Sequence, residues 1–267
     1  MRYFPLLLCL FFLMPSVLSA ADLRMTIAGG NEEQRKIVET ALSYIQEHIE
    51  KKELTAEFLR SYQGQIDKRV KSALQPYGFF DSEAEITVSR AQDGRLLLQI
   101  HVFPGKPVRV TALSVRVQGP GEEENTLQEA IAGFPLQVGD ILRQDFYDQG
   151  KADLKQKAVA AGFLKADYSR HELLVHRAEH SAEVVLLLES GPRYRFGKTC
   201  FEGRESYPER LLKRFLDYRE GEFYSERKLS RTRMNFVNAD LFRTVDIRPD
   251  TLDEAADREL GHGRHAL

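Results

Sequence analysis

The sequence predicts an α+β fold made of small tandem modules, each running strand, helix, helix, strand, strand. Three observations carry that prediction. A glycine turn feeding a short basic-apolar strand occurs twice, as Phe103-Pro-Gly-Lys-Pro-Val-Arg-Val110 and as Glu189-Ser-Gly-Pro-Arg-Tyr-Arg-Phe196. A glycine-phenylalanine break precedes each copy, at Gly78-Phe79 and Gly162-Phe163, and a third break follows at Asp240-Leu-Phe242. Between these landmarks the apolar period switches from helical to alternating and back. Self-similarity at a fixed spacing marks an array of repeated units, each one supersecondary motif in size.

In the first module, residues 23–27 alternate and end at Gly29-Gly30. Asn31 followed by Gln34 forms a capping box, each side chain satisfying an orphan backbone donor of the helix start. Ile37, Val38, Ala41, Leu42, Ile45 and Ile49 then recur at helical spacing. A polar break over residues 51–55 separates a second helix with the stripe Leu59, Tyr62, Ile66, Val70 and Leu74, stopped by Pro76 and Gly78. Residues 84–88 and 96–102 flank Asp93-Gly94 and read as a hairpin.

The second module repeats the order. Residues 112–117 form its first strand, and Asn125 with Gln128 offers a second capping box. That short helix turns Leu127, Ile131 and Phe134 inward. Gly139-Asp140 leads into the next helix, with inward positions Phe146, Gly150, Leu154 and Ala158, ended by Gly162. Residues 167–175 and 182–188 make the hairpin.

In the third module, residues 196–201 are the expected first strand. Ser206, Pro208 and Glu209 are the expected helix start, with proline tolerated in the first turn. Leu211, Leu212 and Phe215 form one stripe, and Leu229, Phe236 and Val237 the next. Residues 243–248 read as a strand, while 251–267 show no apolar alternation, so the module is expected to lack its last strand and to end in a disordered tail. The boundaries that follow are 1–21 leader, 22–108, 109–195 and 196–250 modules, and 251–267 tail.

Bulk properties narrow the function. The chain has 267 residues with Lys+Arg 38 and Asp+Glu 40, a near-neutral balance that argues against nucleic-acid binding. Arg2, the apolar run over 4–18 and Ser19-Ala20-Ala21 have the form of a secretory signal peptide cleaved after Ala21. Of the two cysteines, Cys9 goes with the leader, so Cys200 has no partner for an intrachain disulfide and is expected to be a buried structural thiol.

The order of elements, the Gly-Phe break and the Pro-Gly or Gly-Pro turn before the next module resemble POTRA domains. Gly191-Pro-Arg-Tyr-Arg-Phe-Gly197 with Phe201-Glu-Gly203 and the leader narrow the resemblance to the periplasmic arm of TamA-like outer-membrane assembly factors, in the BamA/TamA superfamily. The resemblance implies a mixed three-stranded sheet, ordered first-third-second, under two helices. It implies a non-enzymatic periplasmic scaffold, near the outer membrane, serving outer-membrane protein and autotransporter assembly. Its partners would be outer-membrane clients and a TamB-like inner-membrane-anchored protein, with the outer-membrane surface as a further contact. No nucleic acid, small-molecule substrate or cofactor is implied. Members of the family continue into a membrane barrel, and no barrel-strand pattern follows Arg248. A truncated, non-functional remnant and an uncharacterised periplasmic enzyme are therefore the competing readings.

Candidate chemistry is sparse. No Gly-x-Ser-x-Gly elbow, Walker loop or His-Glu-x-x-His occurs. His171, His176 and His180 cluster in sequence, but His171 and His176 differ in strand parity and no cysteine lies near, which favours an exposed hairpin over a metal site. Arg227, Lys228, Arg231 and Arg233 crowd one helix, expected as a solvated face or an anionic-surface contact. A strand edge carries unpaired backbone donors and acceptors, which can recruit an extended peptide. The expected partner-binding residues are accordingly Ala84, Ile86 and Val88 on one edge and Asp167, Ser169 and His171 on the other. Gly105, Arg109, Gly191, Tyr194 and Arg195 are expected at module junctions.

Overall fold

The computed structural model describes residues 23–50, 55–92, 94–203 and 207–249, except the side chains of residues 44–50. The expected signal peptide and tail, Asp93 and Ser206 lie outside the described residues, and so do the side chains of Ile45 and Ile49. The described residues form two compact units. Unit one runs to Gln75 and adds Phe79–Gly105, and unit two comprises Pro76–Gly78 with the chain from Lys106 onward.

Unit one follows the expected order: β1 (Leu23–Gly29), α1 (Glu32–Glu50), α2 (Ala56–Ser61), α3 (Gln63–Leu74), β2 (Glu83–Arg90) and β3 (Leu96–Phe103). The capping box forms as read: Gln34 N–H donates to Asn31 Oδ1 and Asn31 N–H to Gln34 Oε1, each at 2.8 Å. The expected second helix is two pieces, broken at Tyr62, and Thr55 caps the first by accepting from Phe58 N–H at 3.1 Å. The stripe survives the break, since Leu59, Ile66, Val70 and Leu74 are all buried.

The sheet order is β1-β3-β2, with β1 parallel and β2 antiparallel to the central β3. Helices cover one face only, so β3 alternates. Leu96, Leu98, Ile100 and Val102 are buried, while Gln99, His101 and Phe103 are exposed. Each fully buried aliphatic side chain contributes roughly 1.5–3 kcal/mol, so the helix-on-sheet layer dominates stability.

Unit two repeats the sheet with β4 (Arg109–Gln118), α4 (Asn125–Ala132), α5 (Gln144–Ala160), β5 (Asp167–His176) and β6 (Ser181–Glu189), ordered β4-β6-β5. Its core joins Val117, Leu127, Leu154, Ala158, Phe163 and Leu188. Gly150 is buried in α5 because the Phe134 ring lies on it, and an added Cβ would stand 2.4 Å from that ring.

Two sequence expectations fail here. The Asn125–Gln128 capping box does not form: Glu124 is the N-cap residue, without a side-chain bond, and Gln128 Nε2 donates instead to the Glu122 carbonyl. Phe146 is exposed and Tyr147 takes its inward place, because the buried face of α5 runs through Tyr147, Gly150, Leu154 and Ala158.

The rest of unit two carries α6 (Glu209–Leu212) and α7 (Glu226–Asn238). The expected strands over 196–201 and 243–248 do not form. In both complete sheets the first strand pairs with the third, and no third strand follows among the described residues. Aromatic packing takes over. Phe196 stacks on Tyr218 with centroids 3.9 Å apart, and Phe236 meets Phe215 at 5.2 Å. Leu212, Leu229 and Phe236 are buried as expected, but Val237 points outward and Thr232 fills the stripe, donating to the Lys228 carbonyl at 3.0 Å. Pro208 sits at the N-cap of α6, one position before the first turn where it was expected. Cys200 is exposed, contrary to the expectation of a buried thiol. No helix among the described residues is long and apolar enough to cross a membrane.

Candidate functional site

Two features of the fold hold the expected site residues: the sheet edges, and a hydrogen-bond lattice that unit two builds twice. Both follow from backbone geometry rather than from reactive side chains.

In the first copy of the lattice, Val108 N–H donates to the Gly78 carbonyl at 2.8 Å and Leu142 N–H to the Val108 carbonyl at 2.9 Å. Val110 N–H donates to the Asp140 carbonyl at 2.9 Å, and Gly139 N–H returns to the Val110 carbonyl at 2.8 Å. The second copy substitutes Tyr194 for Val108, Gly162 for Gly78, Tyr224 for Leu142, Phe196 for Val110, Glu222 for Asp140 and Gly221 for Gly139, at 2.7–3.0 Å. One arginine closes each copy. Arg109 Nη1 donates to the Gly139 carbonyl and Arg195 Nη1 to the Gly221 carbonyl, both at 2.7 Å.

Glycine is required at the head of each lattice. Gly78 and Gly162 have φ +87 and +103, and an added Cβ would meet the carbonyl oxygens of Leu142 and Tyr224 at 2.7 and 3.0 Å. This is the physical content of the repeated Gly-Phe break. The second copy is reinforced by Arg193, which donates to the Ala161 carbonyl at 3.0 Å and pairs with Glu124 at 2.9 Å. The guanidinium groups of Arg193 and Arg195 lie over the Phe223 ring at 4.5 and 3.7 Å from its centroid. Of the expected junction residues, Arg109, Tyr194 and Arg195 belong to the lattice. Gly105 and Gly191 take positive φ but no part in it. Phe223 and Glu124 were missed, since only the fold brings them to Arg193.

The sheet order makes β2 and β5 edge strands, and β1 and β4 are edges too, which the sequence reading passed over. On β2, Ala84, Ile86 and Val88 are half-buried against the unit-one core. Two side chains of α3 reach this edge: Asp67 Oδ1 accepts from Ala84 N–H at 3.3 Å, and Gln63 Nε2 donates to the Ile86 carbonyl at 3.0 Å.

On β5 the ladder slips between Tyr168 and Arg170, leaving Ser169 in a bulge. Ser169 Oγ compensates by donating to the Leu187 carbonyl at 3.3 Å. Asp167 Oδ1 accepts from Lys155 Nζ at 2.8 Å and from Tyr168 N–H at 2.9 Å, and these bonds, the lysine first, hold its carboxyl below the usual range. Burial pushes the Tyr168 phenol well above its ordinary value, and its hydroxyl donates to the Lys151 carbonyl at 2.7 Å. His171 lies edge-on to that ring, 6.4 Å between centroids. Asp148, Lys151, Lys155, Asp167, Tyr168 and His171 line a shallow hollow beside the edge.

The other candidates resolve into local contacts. No group of three His, Cys, Asp or Glu side chains among the described residues could hold a metal ion, and His176 faces Glu183 at 3.7 Å. In the basic cluster, Lys228 pairs with Glu222, Arg231 with Asp217 at 3.8 Å, and Arg233 donates to the Ile247 carbonyl at 3.1 Å. Two of these four cations therefore have carboxylate partners, and Arg233 is held by a carbonyl.

Residues 24–104, nearly the whole of unit one, match the family model described as POTRA domain, TamA domain 1. Unit one is a POTRA domain. The second sheet, with its two helices and the same strand order, repeats the POTRA architecture in tandem. Among solved structures, BamA POTRA3-5 of Haemophilus influenzae is 17% identical, with TM-score 0.47, over 91% of this chain and 94% of that one. The N-terminal domain of Omp85 from the cyanobacterium Thermosynechococcus elongatus is 15% identical, TM-score 0.32, over 89% and 92%. CdiB from Acinetobacter baumannii is 19% identical, TM-score 0.30, over 63% of this chain and 29% of its own length.

Proposed function

We propose that the chain is a non-enzymatic periplasmic scaffold in outer-membrane protein translocation and assembly, autotransporters included, and that it holds extended client segments by strand addition at β2 and β5. The observation that carries this reading is the strand order of the two sheets, which leaves one backbone side of β2 and β5 without a strand partner. Strand addition suits clients of many sequences, because main-chain bonds supply the affinity while alternate side chains adjust specificity. Outer-membrane clients and a TamB-like inner-membrane-anchored protein are the partners the POTRA resemblance suggests.

Ile86→Pro tests it. The bonds at Ala84 N–H and the Ile86 carbonyl place the backbone groups of residues 84 and 86 on the side facing away from β3. Proline at 86 therefore removes an outward donor and leaves the β2–β3 ladder intact. Cross-linking of unfolded outer-membrane clients to β2 should fall severalfold with helix content unchanged. Undiminished cross-linking would move the binding surface away from this edge.

A further inference from the structure

The β2 edge is partly occupied by the protein itself. Gln63 and Asp67 stand one turn apart on the same face of α3, and each takes one outward backbone group of β2: the Ile86 carbonyl at 3.0 Å and Ala84 N–H at 3.3 Å. Outward-facing residues alternate along a strand, so the outward set continues to Val88, whose backbone groups lie beyond both bonds. Unit two places an equivalent device on its own edge with the parts exchanged. There the aspartate sits on the strand and the lysine on the helix: Asp167 accepts Tyr168 N–H and Lys155 Nζ, as Asp67 accepts Ala84 N–H and Lys71 Nζ.

We infer, building on the strand-addition reading, that Gln63 and Asp67 form a latch: they fill the backbone positions an added strand must use at 84 and 86, and they restrict this edge to extended segments able to displace them. Displacement does not strand a charge. Asp67 keeps its ion pair with Lys71 at 2.8 Å, and both side chains remain within reach of water. The same groups state what the favoured segment carries. Asp67, Glu83 and Glu85 outnumber Lys71 at the start of β2, while Arg90 stands at its end. Glu83 is close enough to reinforce the upward shift that the Asp67 hydrogen bond imposes on Lys71. A segment with a basic residue opposite the start of β2 matches that field, and one with an acidic residue there is repelled.

The test uses the full chain and two labelled synthetic peptides of alternating valine and threonine, one with a terminal lysine and its twin with a terminal glutamate. Fluorescence anisotropy reads affinity, and amide exchange at Ala84, Ile86 and Val88 reads the place of binding. Gln63→Ala with Asp67→Ala should bind the lysine peptide several-fold more tightly than the unaltered chain does, as expected for two hydrogen bonds that no longer need breaking less the attraction lost with the Asp67 carboxylate. The gain should come with new protection at Ala84 and Ile86, and with weaker binding of the glutamate twin. Asp67→Asn, which keeps the accepting oxygen, should restore most of the latch at Ala84. Should the double variant misfold, Gln63→Glu replaces the donor with an acceptor on the protein surface and should open the Ile86 position alone. Equal affinity of the double variant and the unaltered chain, with protection at 84–88 in both, overturns the latch and leaves strand addition standing. Binding by neither, or protection only elsewhere, overturns the latch and strand addition at this edge together.

Discussion

The two sheet-bearing parts of the molecule differ from the region after Phe196 in one component, and the difference separates what is local in this fold from what is not. Both parts of unit two carry the same hydrogen-bond lattice, with Arg109 closing one copy and Arg195 the other. The first copy runs on into β4, which pairs with β6 over the length of the strand. The second runs on into residues 196–201, which form no strand. Helices, lattice and aromatic core therefore assemble without a sheet, since each needs only neighbours brought close by short connections. A first strand is different. It depends on a third strand that lies far along the chain, and the entropy of closing that loop is recovered only when the partner arrives.

The largest effect that would sharpen this comparison lies under the second sheet. Leu154 is buried between α5 and β6, and Leu154→Ala should cost about 2–5 kcal/mol in chemical denaturation. A near-normal midpoint would mean that helix-on-sheet burial is not what holds this part of unit two. Next comes Gly150→Ala, where the new methyl would stand 2.4 Å from the Phe134 ring. The loss should be about 1–3 kcal/mol, read in the same experiment, and relieved in part by Phe134→Leu if the clash is the cause. A smaller effect belongs to unit one alone. Asn31→Ala removes half of the capping box and should cost about 0.5–2 kcal/mol, measured by the melting of unit one without a shift in unit two.

What the sequence made legible tracks the same division. The Asn31–Gln34 box, the stripe through Leu59, Ile66, Val70 and Leu74, and the alternation of β3 were readable because each depends on residues within a few turns of one another. One inward position of α5 was misread, while Gly150, Leu154 and Ala158 are buried as expected. Phe146 and Tyr147 are both aromatic, and the sequence does not say which of the two turns inward. At Asn125 the capping box lost to Glu124, whose extended backbone at φ −74, ψ 116 starts the helix one residue earlier. The strands over 196–201 and 243–248 were read from their places in the repeated module order, which says where a strand would fall and not that a partner exists. The features that matter most for binding were illegible for the opposite reason. Gln63 and Ile86 lie 23 residues apart, Asp67 and Ala84 lie 17, and only the folded unit brings them together.

The central claim is that the third strand completes a module, leaving the second strand as its edge, and that the described segments 196–203 and 243–249 are coil. Native-state amide hydrogen exchange over the whole chain tests it most directly, because protection reports local opening free energies residue by residue. Amides of Leu98, Ile100 and Val102 in β3 and of Val184, Leu186 and Leu188 in β6 should exchange only on global unfolding of their units. Outward amides of β2 such as Val88 should exchange far faster, and residues 196–203 and 243–249 should show little protection outside the lattice bonds. Slow, cooperative exchange across 196–203 and 243–249, matching β3 and β6, would contradict the account and show that these segments are paired into a sheet in solution.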